Sequence, residues 1–197
     1  LLAEHGFRGT FYVPQRNCEG RPVLSDLELR SVAACFEIGS HTRDHVRLEK
    51  LAPGAVEQQI AEGKRSVEDQ IGGAVSGFCY PGGVHSLRVR AAVRNAGFAY
   101  ARTTSNFWIG APSDRFLVPT TIQLYPHRPL TYLKNLVRGG EWRSRTPLFA
   151  TAVRCASLDA TLRKLLDVAI QSDGVFHLWG HSWEIDEMQL WDVLANF

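Results

Sequence analysis

Residues 36–45 read Phe36-Glu37-Ile38-Gly39-Ser40-His41-Thr42-Arg43-Asp44-His45. A mostly apolar run, expected to be a strand over residues 37–40, passes straight into a polar segment carrying two histidines. If a helical turn begins there, the rings of His41 and His45 share a face, because positions four apart lie one above the other on a helix. Two neutral imidazoles supply half of a tetrahedral zinc site, which a carboxylate and a water complete in hydrolytic centres. The plain alternative is a pair of surface or capping histidines, since this spacing also arises by chance.

Outward from that stretch the chain alternates between strand and helix signals. Residues 9–13 (GTFYV) read as a buried strand closed by Pro14, and residues 25–36 as a helix opened by the capping-box spacing Ser25-Asp26-Leu27-Glu28. A long amphipathic helix is expected over 53–71, with Pro53 in its first turn and Gly72-Gly73 after its end. Strands are expected over 75–80, 98–103, 116–124 (broken at Pro119) and 175–179, and helices over 86–95, 130–137, 158–170 and 187–197. The loop 104–115 and the segment 139–156 read as excursions. Repeated βα units with short connections imply an α/β fold with a parallel sheet, more readily a distorted (β/α) barrel than an open sheet. The candidate chemistry then falls at strand ends, where barrel enzymes place it.

Composition narrows the classes. At 197 residues, 45% hydrophobic and 21% charged, the chain suits one domain with a core that needs no staples. A net charge of +2 without any basic block gives no reason to expect nucleic acid or anionic lipid as a partner. No apolar run approaches the roughly 20 residues of a membrane span. The four cysteines are scattered without a CxxC pair and read as free, mostly buried thiols rather than a disulfide frame. Leu1-Leu2-Ala3-Glu4-His5-Gly6 reads as the end of a helix, which implies sequence upstream and leaves localisation open between cytoplasm and export. Oligomeric state has no signal.

Taken in order, GTFYV, GSHTRDH (39–45), FCYPGG (78–83) and HLWGHSWE (177–184) resemble the polysaccharide deacetylase, or NodB-homology, family of carbohydrate esterases. The likeness covers nearly the whole chain. It implies a distorted (β/α) barrel, a divalent metal, usually zinc, bound by one Asp and two His, and removal of acetyl groups from sugars such as chitin, peptidoglycan or xylan. The metal histidines match His41 and His45. The metal Asp and the base Asp belong to a strand end that would lie before Leu1, so the resemblance implies a first strand and both carboxylates upstream of this chain, which should itself be inactive. The third motif, usually Arg-x-Pro-Tyr-Gly, departs here: aligned on Pro81, its Arg becomes Cys79 and its Tyr becomes Gly82.

The remaining roles follow the same resemblance. His181 matches the general acid that protonates the leaving nitrogen, and the Gly82 N–H remains available as an oxyanion donor. His177, on the same strand face, is the rival to His181. Tyr80, Pro81, Trp108 and Trp183 are candidates to line the substrate pocket, although aromatic core is the ordinary role for such residues. His5, His85 and His127 carry no spacing signal and read as surface or loop residues. Two functions stand: a metal-dependent deacetylase acting on acetylated sugars or glycans, or a catalytically inactive relative that binds glycan or a partner protein.

Overall fold

Glu37, at the start of one short strand, accepts hydrogen bonds from Thr10 and Tyr100 on two others, at 2.8 and 2.9 Å. This holds in a computed structural model of the chain, which describes residues 1–138 and 140–197. The chain forms two units, residues 1–103 with 113–118, and residues 104–112 with 119–197.

The first unit contains β1 (Thr10–Val13), α1 (Asp26–Ala33), β2 (Glu37–Ser40), α2 (Pro53–Ile71), β3 (Gly77–Cys79), α3 (Leu87–Asn95) and β4 (Tyr100–Arg102). The four strands pair in parallel in the order β1-β2-β3-β4. Parallel pairs need crossovers, and the helices between them provide these. Ser25 caps α1 through the expected reciprocal pair with Glu28.

Register and alternation sort the side chains of this sheet. Ile38, Ser40, Phe78 and Ala101 share one face, and Ile38, Phe78 and Ala101 join Val56, Ile60 and Val67 of α2 in a single core. Each fully buried large apolar side chain there contributes roughly 1.5–3 kcal/mol. Tyr12, Gly39, Gly77, Cys79, Tyr100 and Arg102 share the other face. On it the tyrosines lie across bare strands and meet, Tyr12 Oη donating to Tyr100 Oη at 3.2 Å and Tyr100 Oη to Glu37. A Cβ on Gly39 would stand 2.4 Å from the Tyr12 ring, and one on Gly77 2.5 Å from the Tyr100 hydroxyl. The glycines make room for the rings.

The second unit contains β5 (Ile122–Gln123), α4 (Pro129–Arg138), α5 (Trp142–Arg154), α6 (Leu158–Gln171), β6 (Leu178–Trp179), α7 (Ser182–Glu187) and α8 (Trp191–Asn196). β5 and β6 pair in parallel. Ile122, Leu124, Leu136, Leu162, Leu165 and Ile185 form its core. Arg145, 1% exposed, donates to the carbonyls of Asn106, Leu136, Asn135 and Gly140, tying the end of α4 to the 104–112 segment.

Parallel strands joined by helices make the chain α/β, as expected. Several elements differ. The expected strand 116–124 is only Ile122–Gln123 plus a single bridge at Val118, because Pro119 has no N–H for a ladder. Of the expected helix 187–197 only α8 (Trp191–Asn196) forms, because α7 ends at Glu187, where Gln189 turns left-handed (φ 52°) and Leu190 N returns to Ile185 O. The excursion 139–156 holds α5, which tolerates Pro147 within it, while Gly139 lies outside the described residues. Cys18 and Cys35 are exposed rather than buried, and all four cysteines are free. Among the described residues no helix is long and apolar enough to cross a membrane.

Candidate functional site

The segment after β2 is not a helical turn. His41 N extends the ladder to Val13 O at 3.1 Å, after which Thr42 (φ 70°) and His45 (φ 56°) turn left-handed. Tertiary partners take the backbone groups that a helix would pair internally. Arg43 N donates to Gln59 O, Asp44 N to Gln59 Oε1, and the carbonyls of Arg43 and Asp44 accept from Arg16 N and Cys18 N. The loop still brings the rings of His41 and His45 to 4.8 Å between centroids, tilted by 49°. The pairing therefore comes from a tied loop, not from helix periodicity.

His41 Nδ1 lies 2.7 Å from the Cys79 carbonyl oxygen. A carbonyl only accepts, so Nδ1 carries a proton, the arrangement in which outer-sphere partners hold metal-binding histidines. Asp44, between the two histidines in sequence, is otherwise engaged. Its carboxylate takes Arg16, Arg43 and Gln59, and these hydrogen bonds, Arg43 foremost, outweigh burial and hold its pKa down to about 2. Arg43 also pairs with Glu62 of α2. Asp44 anchors the loop. Among the described residues no three His, Cys, Asp or Glu side chains are grouped to hold a metal ion. Two imidazoles brought together in this way fit two positions of a zinc-type site.

Gly82 sits in a single 3-10 turn, Pro81–Gly83, with φ 63°, and the Arg47 guanidinium lies 3.4 Å from where its Cβ would be. Tyr80 and Pro81, expected at the substrate, are buried. The Tyr80 ring belongs to the core and its hydroxyl donates to Phe116 O at 3.1 Å, so it offers a ligand no side chain. Cys79 stands in register with Arg102 of β4. Burial pushes the Cys79 thiol up to about 12 and also draws the Arg102 guanidinium below its ordinary value. The aligned motif position thus lacks its arginine, but a cation occupies the adjoining strand.

In the second unit His181 is the N-cap of α7 and uses its ring elsewhere, with Nδ1 2.7 Å from Glu184 Oε2. Trp183 stacks on the ring (5.4 Å, 22°) and Trp179 meets it edge-on at 5.5 Å. Gln123 donates to the same Glu184 oxygen at 2.8 Å. Burial opposes ionisation of Glu184, but its hydrogen bonds to His181 and Gln123 prevail and hold its pKa below the ordinary value. Sequence reading missed Glu184, though its place three residues after His181 is a legible signal once the short helix is known. His177 lies half-buried beside β5, its backbone bonded to Thr121. The Trp108 ring packs over Arg145, 5.9 Å from the guanidinium carbon, in a structural contact.

The sequence profile of the polysaccharide deacetylase family matches residues 1–101, just over half of the chain. The chain belongs to the polysaccharide deacetylase family. Solved structures share its fold at low identity. A polysaccharide deacetylase-family protein from Mycobacterium smegmatis has TM-score 0.61 and 17% identity over 99% of this chain and 67% of that one. A Streptococcus pyogenes deacetylase in complex with acetate has TM-score 0.55 and 15% identity over 61% of this chain and 54% of that one. A CE4 family pseudoenzyme from Bacillus anthracis has TM-score 0.50 and 12% identity over 94% and 58%. The chain spans 54% or less of the first solved relatives it matches. No curated protein matches it. Within the family frame, the histidine loop and the Pro81–Gly83 turn fall inside the matched region, whereas His181 and Glu184 lie beyond it.

Proposed function

We propose that the intact protein is a metal-dependent amide hydrolase that removes acetyl groups from N-acetylated sugars or glycans. The observation that carries this reading is the His41–His45 pair, in a member of this family, with Nδ1–H of His41 committed to a backbone carbonyl. That commitment leaves Nε2 as the nitrogen that would meet a divalent metal. His41 and His45 would hold the ion, zinc by donor type. When bound, the metal supplies Lewis acidity to the acetyl carbonyl and lowers the pKa of water toward roughly 7.

The protein's own groups divide the rest of the work. The Gly82 N–H supplies a fixed dipole for the oxyanion, and the adjacent Arg47 guanidinium adds positive charge there. His181 delivers a proton from Nε2 to the departing nitrogen, and Glu184 on Nδ1 stabilises the charged ring before it does so. Trp183, stacked on that ring, offers an apolar face to a sugar or an acetyl methyl.

The test is acetate release from N-acetylglucosamine oligomers by the full-length natural protein, with and without chelator, beside His41→Ala. Release that stops on chelation, returns with zinc and is lost in His41→Ala supports the reading. Release indifferent to all three overturns it. No release from metal-loaded protein that still binds the oligomers identifies a binding protein instead.

A further inference from the structure

We infer that Gln123 and His127 are positioning residues that, through Glu184, hold His181 with Nδ1–H on the carboxylate and leave Nε2 as its reacting nitrogen. The inference rests on the reading of His181 as the proton donor. Four groups of the second unit line up in one hydrogen-bonded series, and the chemistry of each fixes the direction of the next.

Glu184 Oε2 accepts from His181 Nδ1 at 2.7 Å and from Gln123 Nε2 at 2.8 Å. The Gln123 side chain is 6% exposed, so its amide must be satisfied within the protein. An ionised carboxylate only accepts, which turns the Gln123 NH2 toward Glu184 and its carbonyl oxygen away. That oxygen lies 2.8 Å from His127 Nε2. An amide oxygen also only accepts, so His127 carries its proton on Nε2. Donation therefore runs from His127 to Gln123 to Glu184, where it meets donation from His181. Reversing any link would set acceptor against acceptor.

His127 is built into place. Its ring lies 4.8 Å from Tyr125 and edge-on to Tyr132 at 5.5 Å, and burial keeps its pKa below the ordinary value. It is thus a held donor, half-buried in the loop between β5 and α4 rather than at the surface. The other end differs: the His181 side chain is 42% exposed. An exposed imidazole ordinarily samples both tautomers and several rotamers. A Glu184 carboxylate fixed only at His181 would move with it, whereas one fixed also by Gln123 stays where β5 puts it. The series converts the rigidity of β5 into a defined direction for Nε2 of His181.

Two variants and two readouts on the full-length protein test this. His127→Phe keeps a ring between the tyrosines and removes the donor; Gln123→Leu removes the middle link. Imidazole 1H–15N spectra report the His181 tautomer independently of metal and turnover. The wild type should show Nδ1–H, and both variants a mixture of tautomers. On the proposed amide reaction each variant should lower kcat about tenfold with KM unchanged, the usual worth of an outer partner. The double variant should lose no more than either single, because one series is broken once. His127→Gln, which restores a donor, should recover the tautomer. If Gln123→Leu does not fold, His127→Phe alone decides. An unchanged His181 tautomer in folded His127→Phe overturns the inference. A shifted tautomer with undiminished hydrolysis upholds the positioning series and removes His181 from the reaction.

Discussion

Gly63 of α2 lies so close to Thr42 that a Cβ on it would stand 2.5 Å from the Thr42 carbonyl carbon and 2.7 Å from Arg43 N. The loop that carries both metal-type histidines rests on the one kind of residue that admits it. Gly63→Ala should therefore reverse the usual gain of about 1 kcal/mol for Gly→Ala inside a helix. We expect a loss of roughly 1–3 kcal/mol, the range for overpacking against atoms that cannot yield. Gly54, in the same helix with nothing within 4 Å, should accept Ala without loss. Thermal unfolding compares the two, and calorimetric zinc titration should show weakened binding in Gly63→Ala alone.

Asp44 makes the loop sensitive to acid. Its folded pKa of about 2 is depressed by Arg43, Gln59 and Arg16. A depressed acid contributes stability above its unfolded value, near pH 3.9, and loses it as pH falls through the folded value. Loop stability should thus hold down to about pH 4 and decline between about pH 4 and pH 2. Asp44→Asn should flatten that part of the profile in urea melts. A profile identical to the wild type would show that Asp44 does not anchor the loop.

The Tyr12–Gly39 contact should be strongly coupled. Gly39→Ala places a Cβ 2.4 Å from the Tyr12 ring and should destabilise the first unit, and Tyr12→Leu should cost stability by opening a cavity. Made together, the changes should cost less than their sum, with a coupling of roughly 0.5–3 kcal/mol. Additive losses in a double-mutant cycle would mean that the ring does not need the glycine.

Arg145 should be irreplaceable by lysine. It serves four backbone carbonyls from one planar group, and a single ammonium cannot reach them all. Arg145→Leu and Arg145→Lys should each cost roughly 2–4 kcal/mol, since unpaired buried carbonyls carry their full desolvation penalty. Equilibrium denaturation monitored by Trp108 fluorescence, whose ring packs over Arg145, reads both.

Substrate chemistry should separate the histidines. His181→Ala should retain zinc binding but slow amide cleavage by roughly 10²–10⁴-fold. It should lose far less on an aryl acetate, whose leaving group needs no proton. His41→Ala should lose metal and both activities. Equal losses of His181→Ala on ester and amide would assign His181 to orientation rather than proton transfer.

Much of this molecule is legible in its residues because the signals are local. Ser25 and Glu28 announce a capping box, Pro53 a helix start and Pro119 a broken strand, each by the geometry of a few neighbouring bonds. The ordered motifs point to the family for the same reason, and His41 and His45 stand out by their spacing. What the residues alone do not reveal depends on partners distant in sequence. The histidine rings meet because Gln59 and Gly63, on the next helix, shape a left-handed loop where periodicity suggests a helical turn. Tyr80 reads as a site residue from its motif, yet packing turns its ring into the core against Phe116. His127 carries no signal at all until Gln123 and Glu184 are placed beside it. Backbone preference is written in the chain one turn at a time; side-chain direction and hydrogen-bond partnership are settled only when separate elements close on each other and each buried polar group must find its complement.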